Sequence, residues 1–221
     1  MKGVIVGAGR RMNDLDRAKK LLADADVILC ADGGYDYLAA LNVEPDIVLG
    51  DFDSLSPATR EKMLQGGSPA GSEKRPKLLV YPPEKDDSDL ELALRCAVEN
   101  GVDDCVILGG TGSRFDHSLC NILLAERFTK CGMSVELIDD TNRICFLPAG
   151  VHRLAKEPAG WYCSFLARTP GALLSLRGFE YELVRHPLPV GTSLGISNHI
   201  RAAEGEAVVE GDGVFCIFSC D

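Results

Sequence analysis

The stretch Asp46-Ile47-Val48-Leu49-Gly50-Asp51-Phe52-Asp53-Ser54 decides how the rest of the 221-residue chain is read. Its first half is β-branched and apolar, as a strand buried on both faces requires. It then meets a glycine and two carboxylates one residue apart. On an extended backbone residues i and i+2 project to the same side, so Asp51 and Asp53 are expected to point together from the strand's C-terminal end. Like charges held close raise one another's pKa unless a cation lies between them. Hard carboxylate oxygens suit Mg2+ in that place. Taken alone, the pair reads equally as two solvated loop acids.

Working outward, acids recur at comparable positions. Val27-Ile28-Leu29-Cys30 closes on Ala31-Asp32-Gly33-Gly34, and Leu78-Leu79-Val80-Tyr81 leads into Lys85-Asp86-Asp87-Ser88-Asp89-Leu90-Glu91. Ser88 and Glu91 have the spacing of a capping box, which sets Asp89 in the first turn of a helix, at the positive end of its dipole. Cys105-Val106-Ile107-Leu108 runs into Gly109-Gly110-Thr111-Gly112-Ser113-Arg114-Phe115-Asp116-His117. Three glycines, two hydroxyls and a forked guanidinium ahead of a helix make a phosphate-binding turn, although the spacing is not that of a Walker loop. A tight strand-to-helix turn is the other reading. Val4-Ile5-Val6 with Gly7-Ala8-Gly9 reads as a first strand and a tight turn. Between strands, Leu15 to Ala25 and Tyr35 to Leu41 have helical spacing, and Phe115, Leu119, Ile122 and Leu123 are expected to share one helix face.

Alternating strands and helices imply a Rossmann-like parallel sheet with helices on both faces, whose ligand edge lies at the strands' C-terminal ends. Asp32, Asp51, Asp53, Asp86, Asp89 and Asp116 all follow strands, and independent solvated acids have no reason to share one edge. From about Val135 the texture changes to short apolar runs separated by turn residues, with Gly211-Asp212-Gly213 as a hairpin signal. An all-β sandwich is therefore expected over 134–221, after an α/β domain over 1–133.

Composition narrows the partners. A formal net charge of -10 argues against a nucleic-acid backbone, which needs clustered Lys and Arg. No apolar run approaches the ~20 residues of a membrane helix. Nine cysteines, an odd number without a CxxC pair, suit reduced thiols of a cytoplasmic protein.

Taken together and in this order, the segments around Asp32, Asp46 to Ser54, Lys85 to Glu91 and Arg114 to His117 resemble the thiamine pyrophosphokinases of bacterial type. Gly178-Phe179-Glu180-Tyr181 and Gly195-Ile196-Ser197-Asn198 extend the resemblance into the second half, although Phe179 and Glu180 stand where that family usually has Leu and Lys. The resemblance implies a nucleotide- and metal-binding α/β catalytic domain, a thiamine-binding β-sandwich, and a homodimer whose site is shared between subunits. It implies transfer of the β,γ-diphosphate of ATP to the hydroxyl of thiamine, with release of AMP. Asp51, Asp53 and Asp89 would hold Mg2+. Asp32, Gly33, Gly34, Lys85, Asp86, Gly110, Thr111, Gly112 and Arg114 would serve ATP. Asp89 or Asp116 would accept the hydroxyl proton. Tyr181 would face the thiazolium cation, and Ser197 and Asn198 would hydrogen-bond the aminopyrimidine. Two other functions stay open on the sequence: a diphosphokinase for a hydroxymethyl pterin, and a catalytically silent nucleotide- or thiamine-binding regulator.

Overall fold

A computed structural model describes residues 1–52, 61, 75–82, 84 and 86–221, with Asp32 described through its backbone. Asp53 and Lys85 therefore lie outside the described residues. The chain divides into two compact units, Met1–Asp140 and Thr141–Asp221.

Among the described residues of the first unit, six strands form a fully parallel array. They are β1 (Lys2–Val6), β2 (Val27–Ala31), β3 (Ile47–Gly50), β4 (Lys77–Val80), β5 (Asp104–Leu108) and β6 (Ser134–Ile138), in the spatial order β4-β3-β2-β1-β5-β6. The helices are α1 (Leu15–Ala23), α2 (Tyr35–Ala40), α3 (Asp89–Glu99) and α4 (Phe115–Lys130), and a 3-10 turn spans Asp32–Gly34. β1 to β4 build outward on one side, and the chain then returns to place β5 on the other side of β1. That reversal opens a crevice beyond the C-terminal ends of β1 and β5, where doubly wound sheets bind ligands. β6 pairs with β5 over five registered positions, and the first compact unit runs on past it to Asp140.

The core of this unit includes Val4, Val6, Ile28, Cys30, Tyr35, Leu38, Val48, Phe52 and Leu108. The apolar row expected on one face of α4 is not its buried face. Its buried residues are Leu124, Ala125, Glu126 and Phe128, whereas Phe115 is 87% exposed, Leu119 58% and Leu123 40%. The helix carries two apolar rows, and the second of them is the one buried.

In the second unit, β7 (Asn142–Leu147), β13 (Val214–Ser219) and β9 (Tyr162–Leu166) pair antiparallel. The second sheet has the order β11-β10-β12-β8, from β8 (Gly150–Ala155), β10 (Leu173–Arg177), β11 (Leu183–Pro187) and β12 (Glu204–Glu210). One apolar cluster takes Cys145, Phe165, Cys216 and Phe218 from the first sheet and Leu174, Leu176, Ala207 and Val209 from the second, which makes the unit a sandwich. Leu183–Pro187 forms edge strand β11, a position that tolerates its terminal Pro187. Arg185 sits there at φ 45° beside a register shift in β10, and its guanidinium grips Glu210 at 2.8 and 2.9 Å.

All nine cysteines are free thiols. Cys120 and Cys131 are exposed. The buried Cys105 is pushed up to about 12 by desolvation. Among the described residues, no helix is long and apolar enough to cross a membrane.

Candidate active site

A cavity of about 530 Å³ occupies the crevice beyond β1 and β5. Its floor is backbone. Gly7 N–H donates to the Leu108 carbonyl at 2.8 Å, Gly9 N–H to Gly109 at 3.0 Å, and Arg10 N–H to Thr111 at 2.7 Å, so the β1–β5 ladder continues past both strands. This continuation explains the glycines. A Cβ on Gly9 would lie 2.3 Å from the Thr111 carbonyl oxygen and 2.4 Å from that of Gly109. Gly109 itself adopts φ +68°, and a Cβ there would lie 2.5 Å from the Gly7 oxygen. Gly7-Ala8-Gly9 is thus half of a two-loop floor rather than a mere turn.

One wall is acidic. Asp51, Asp87, Ser88 and Asp89 line it. Strand β3 ends at Gly50, with φ 144°, and Phe52 follows at φ 62°. The backbone is therefore not extended from Gly50 to Phe52, so the i, i+2 rule has no extended strand to act on there. Phe52 tolerates a left-handed conformation because its ring is buried. Burying a phenyl group yields roughly 1.5–3 kcal/mol, against about 1–2 kcal/mol for the strained backbone. The bend fixes Asp51 between a glycine hinge and an anchored ring.

Asp89 opens α3, as the capping spacing requires. The Ser88 hydroxyl accepts the Glu91 N–H at 3.2 Å. The reciprocal half of the box is missing, because the Glu91 carboxylate instead accepts from Arg95 at 3.0 Å and Arg127 at 2.5 Å. Burial alone would raise the Glu91 pKa, but the two guanidiniums outweigh it and hold the carboxyl below its ordinary value. Arg95 also lies 3.4 Å from Asp87, tying the acid wall to the body of the helix.

The opposite wall comes from the β5–α4 connection: Gly109 to Arg114, His117, Ser118 and Asn121. Arg114 is the N-cap of α4, with no side-chain cap bond. Its guanidinium grips Asp116 through two hydrogen bonds, 3.3 and 2.6 Å long. The Arg114 hydrogen bond holds the Asp116 carboxyl below the usual carboxylate range. Asp116 is not among the lining residues, and neither are Asp86, Gly33 and Gly34, whereas Asp51, Asp89, Gly110, Thr111, Gly112 and Arg114 are. Ser118 and Asn121 escaped the sequence reading; their i, i+3 spacing on a helix start was the available signal.

The β-sandwich residues expected to meet substrate are placed differently. Tyr181 is 63% exposed. Asn198 is buried, and its amide clamps two loops. Its oxygen accepts the Tyr181 and His199 N–H groups at 3.0 and 2.8 Å, and its NH2 donates to the Tyr181 carbonyl at 2.8 Å. Ser197, at φ 59°, donates its N–H to the Ser164 hydroxyl at 3.0 Å. A recess of about 310 Å³ in this unit is lined by Trp161, Tyr162, Glu180, His199 and Arg201 among others, but not by Tyr181, Ser197 or Asn198.

Among the described residues, no three His, Cys, Asp or Glu side chains converge as a metal cage. The donors present on the acid wall, carboxylates with a serine hydroxyl, are nonetheless the hard oxygens that fit Mg2+.

These features define a class: a doubly wound α/β unit with an acid-walled, glycine-floored cavity at its switch point, followed in the chain by a β-sandwich. Residues 18–137 match the model of the thiamin pyrophosphokinase catalytic domain, and residues 151–214 that of the thiamin pyrophosphokinase vitamin B1 binding domain. A thiamine pyrophosphokinase of Bacillus subtilis (strain 168) is 32% identical over 206 residues, covering 93% of this chain and 92% of its own. A thiamin pyrophosphokinase of Caenorhabditis elegans is 24% identical over 201 residues, covering 86% and 77%. The crystal structure of thiamine pyrophosphokinase from Bacillus subtilis superposes with a TM-score of 0.85 at 29% identity, with both chains fully covered. That of the Geobacillus thermodenitrificans protein superposes at 0.82 and 27%, covering all of this chain and 98% of its own. The chain belongs to the thiamin pyrophosphokinase family.

Proposed function

We propose that the chain is a thiamine diphosphokinase, transferring the β,γ-diphosphate of ATP to the hydroxyl of thiamine and releasing AMP. The observation that carries this reading is the acid-walled cavity, whose acid wall (Asp51, Asp87, Asp89) and β5–α4 wall both lie within the segment that matches the family's catalytic domain. The hydroxyl oxygen forms a bond to Pβ, the bond from Pβ to the α,β-bridging oxygen breaks, and AMP leaves with that oxygen.

Asp51 and Asp89 would hold Mg2+, with Asp53 as the further ligand implied by family likeness. When bound, the ion neutralises charge on the β- and γ-phosphate oxygens. The chain's own part is positioning. The backbone floor lets the triphosphate approach closely, and Arg114 offers a forked donor at the start of α4. For the hydroxyl proton, Asp89 and Asp116 are the candidate acceptors: Asp89 lines the cavity, and Asp116 is gripped by Arg114 beside it. Thiamine would be recognised by the β-sandwich. There Tyr181 and Ser197 remain the proposed contacts, and Asn198 would act by shaping the loop that carries them.

Phosphorus NMR of the full chain with ATP and Mg2+ tests the function. Thiamine should yield AMP and thiamine diphosphate in equal amounts, and a hydroxymethyl pterin should yield neither. Diphosphorylation of the pterin alone, or nucleotide binding without AMP release, would return the two alternative functions.

A homodimer in the cytoplasm completes the proposal. Nine free thiols are in keeping with a reducing compartment. The exposed row Phe115, Leu119 and Leu123 on α4 is the kind of contiguous apolar face that a second copy covers. Leu119→Lys should shift the species seen by sedimentation from two copies to one. An unchanged dimer would exclude α4 from the interface.

A further inference from the structure

Crossover helices run against the strands of a parallel sheet. The C-terminal halves of α3 and α4 therefore lie at the edge opposite the cavity, beside the residues that lead into β5 and β6. A second recess, of about 430 Å³, opens between them and shares no lining residue with the cavity. Val102, Phe128 and Met133, all buried, give it an apolar surface, and the exposed Val98 and Cys131 stand beside them. Its charges are unequally matched. Arg95 and Arg127 both line it, each about half-exposed, and both donate to a single oxygen, Oε1 of Glu91. Arg95 also reaches Asp87 at 3.4 Å, but among the described residues Arg127 has no acceptor besides Glu91. The Arg127 guanidinium carbon stands 5.1 Å from the centroid of the Phe128 ring, which holds its charge over the apolar surface. Among the described residues Glu99 is the one acid in the lining, so two cations there face one anion.

We propose that this recess binds a small amphipathic monoanion, a carboxylate carried on an apolar chain or ring. The head meets the guanidiniums of Arg127 and Arg95, whose forks match a carboxylate in shape as well as charge. The body covers Val98, Val102, Phe128 and Met133. A neutral apolar guest leaves the forks with one shared oxygen, and a cation meets two like charges. A polyphosphate sets its further charges against Glu99 and leaves the apolar surface wet. Glu91 competes with the guest for the same N–H groups. The proposal goes beyond diphosphate transfer and stands or falls apart from it, because no residue of the nucleotide cavity takes part.

The full chain carries its own reporter and control for the test. Cys131 lines the recess and is exposed, whereas Cys120 is exposed outside it. Alkylation by iodoacetamide, followed by peptide mass spectrometry, is measured in rising octanoate. Octanoate should slow the modification of Cys131 several-fold, to a plateau, and leave Cys120 unchanged. Octanol, octylammonium, acetate and tripolyphosphate at equal concentration should protect neither. Arg127→Gln should raise the half-protecting octanoate concentration about tenfold or more, the worth of a hydrogen bond to a charged group. Arg95→Gln should act in the same direction, and the thermal midpoint of each variant checks that it folds. Glu91→Gln removes the competing carboxylate and should lower the half-protecting concentration, a gain that damage to the fold would not give. Equal protection by octanol, equal slowing of both cysteines, or no protection overturns the proposal. So does protection that survives both arginine variants, or weaker binding by Glu91→Gln.

Discussion

Asp51→Asn should abolish most AMP formation, lowering the rate by roughly 10²–10³-fold, as removal of one charge-stabilising group in a phosphoryl-transfer site does. The side chain keeps its volume, and its place is set by backbone. Gly50 at φ 144° turns the chain out of β3, and the buried ring of Phe52 pins the next residue. The thermal midpoint should therefore stay close to that of the parent chain while activity collapses. What is lost is a charge facing the nucleotide across a cavity whose same wall carries Asp87 and Asp89. Raising Mg2+ should recover part of the loss, because a carboxamide still offers one neutral oxygen. Quenched-flow measurement of AMP release gives the answer. A variant within tenfold of the parent at saturating ATP would remove Asp51 from the catalytic set and, with it, the acid wall as the seat of the metal.

The second large effect is on the floor. Gly9→Ala introduces a methyl carbon within 2.4 Å of two backbone oxygens that are themselves fixed by the adjoining ladder. Backbone atoms cannot rotate away as a side-chain tip can. The loops must part, and the bonds from Gly9 to Gly109 and from Arg10 to Thr111 go with them. Overpacking and two lost hydrogen bonds together should cost roughly 2–4 kcal/mol, which in a chain of this size lowers the thermal midpoint by roughly 5–15 °C. Gly112→Ala is the matched control, since its Cβ would meet nothing nearer than 3.8 Å and its φ is ordinary. That variant should melt within about 0.5 kcal/mol of the parent. If calorimetry finds the two alanine variants alike, the two-loop floor is not as described.

Much of this architecture was legible in the sequence because its signals are local. Apolar runs of β-branched residues, a serine three residues before a glutamate, and acids just past each run fix elements without reference to the rest of the chain. Long-range pairing was not legible. Gly7 and Gly9 owe their role to Gly109 and Thr111, a hundred residues away, and nothing near them in sequence announces that β1 and β5 are neighbours. Which face of α4 is buried was not legible for a related reason. The helix has two apolar rows, and which one is buried depends on how the chain packs rather than on periodicity. The strand rule behind the Asp51–Asp53 expectation reaches only to Gly50, because the left-handed Phe52 interrupts the extended backbone after Asp51. Asn198 was legible as a polar residue in a recognition segment, but whether its amide faces ligand or its own loop is decided by carbonyls and N–H groups that sequence does not place.

The bidentate grip of Arg114 on Asp116, 69% and 65% exposed, means that the guanidinium reaches the solvent already wearing a tethered counterion. Exposed pairs of this kind are weak, so the grip can be broken. A rival must nonetheless outcompete a carboxylate two residues away, present at a far higher effective concentration than any dissolved salt. Chloride or acetate, with one charge, gains little by the exchange, whereas a polyanion recovers in several contacts what it gives up in one. The arginine is thereby masked from the ions that crowd the cell and unmasked by the multiply charged guests it is suited to hold.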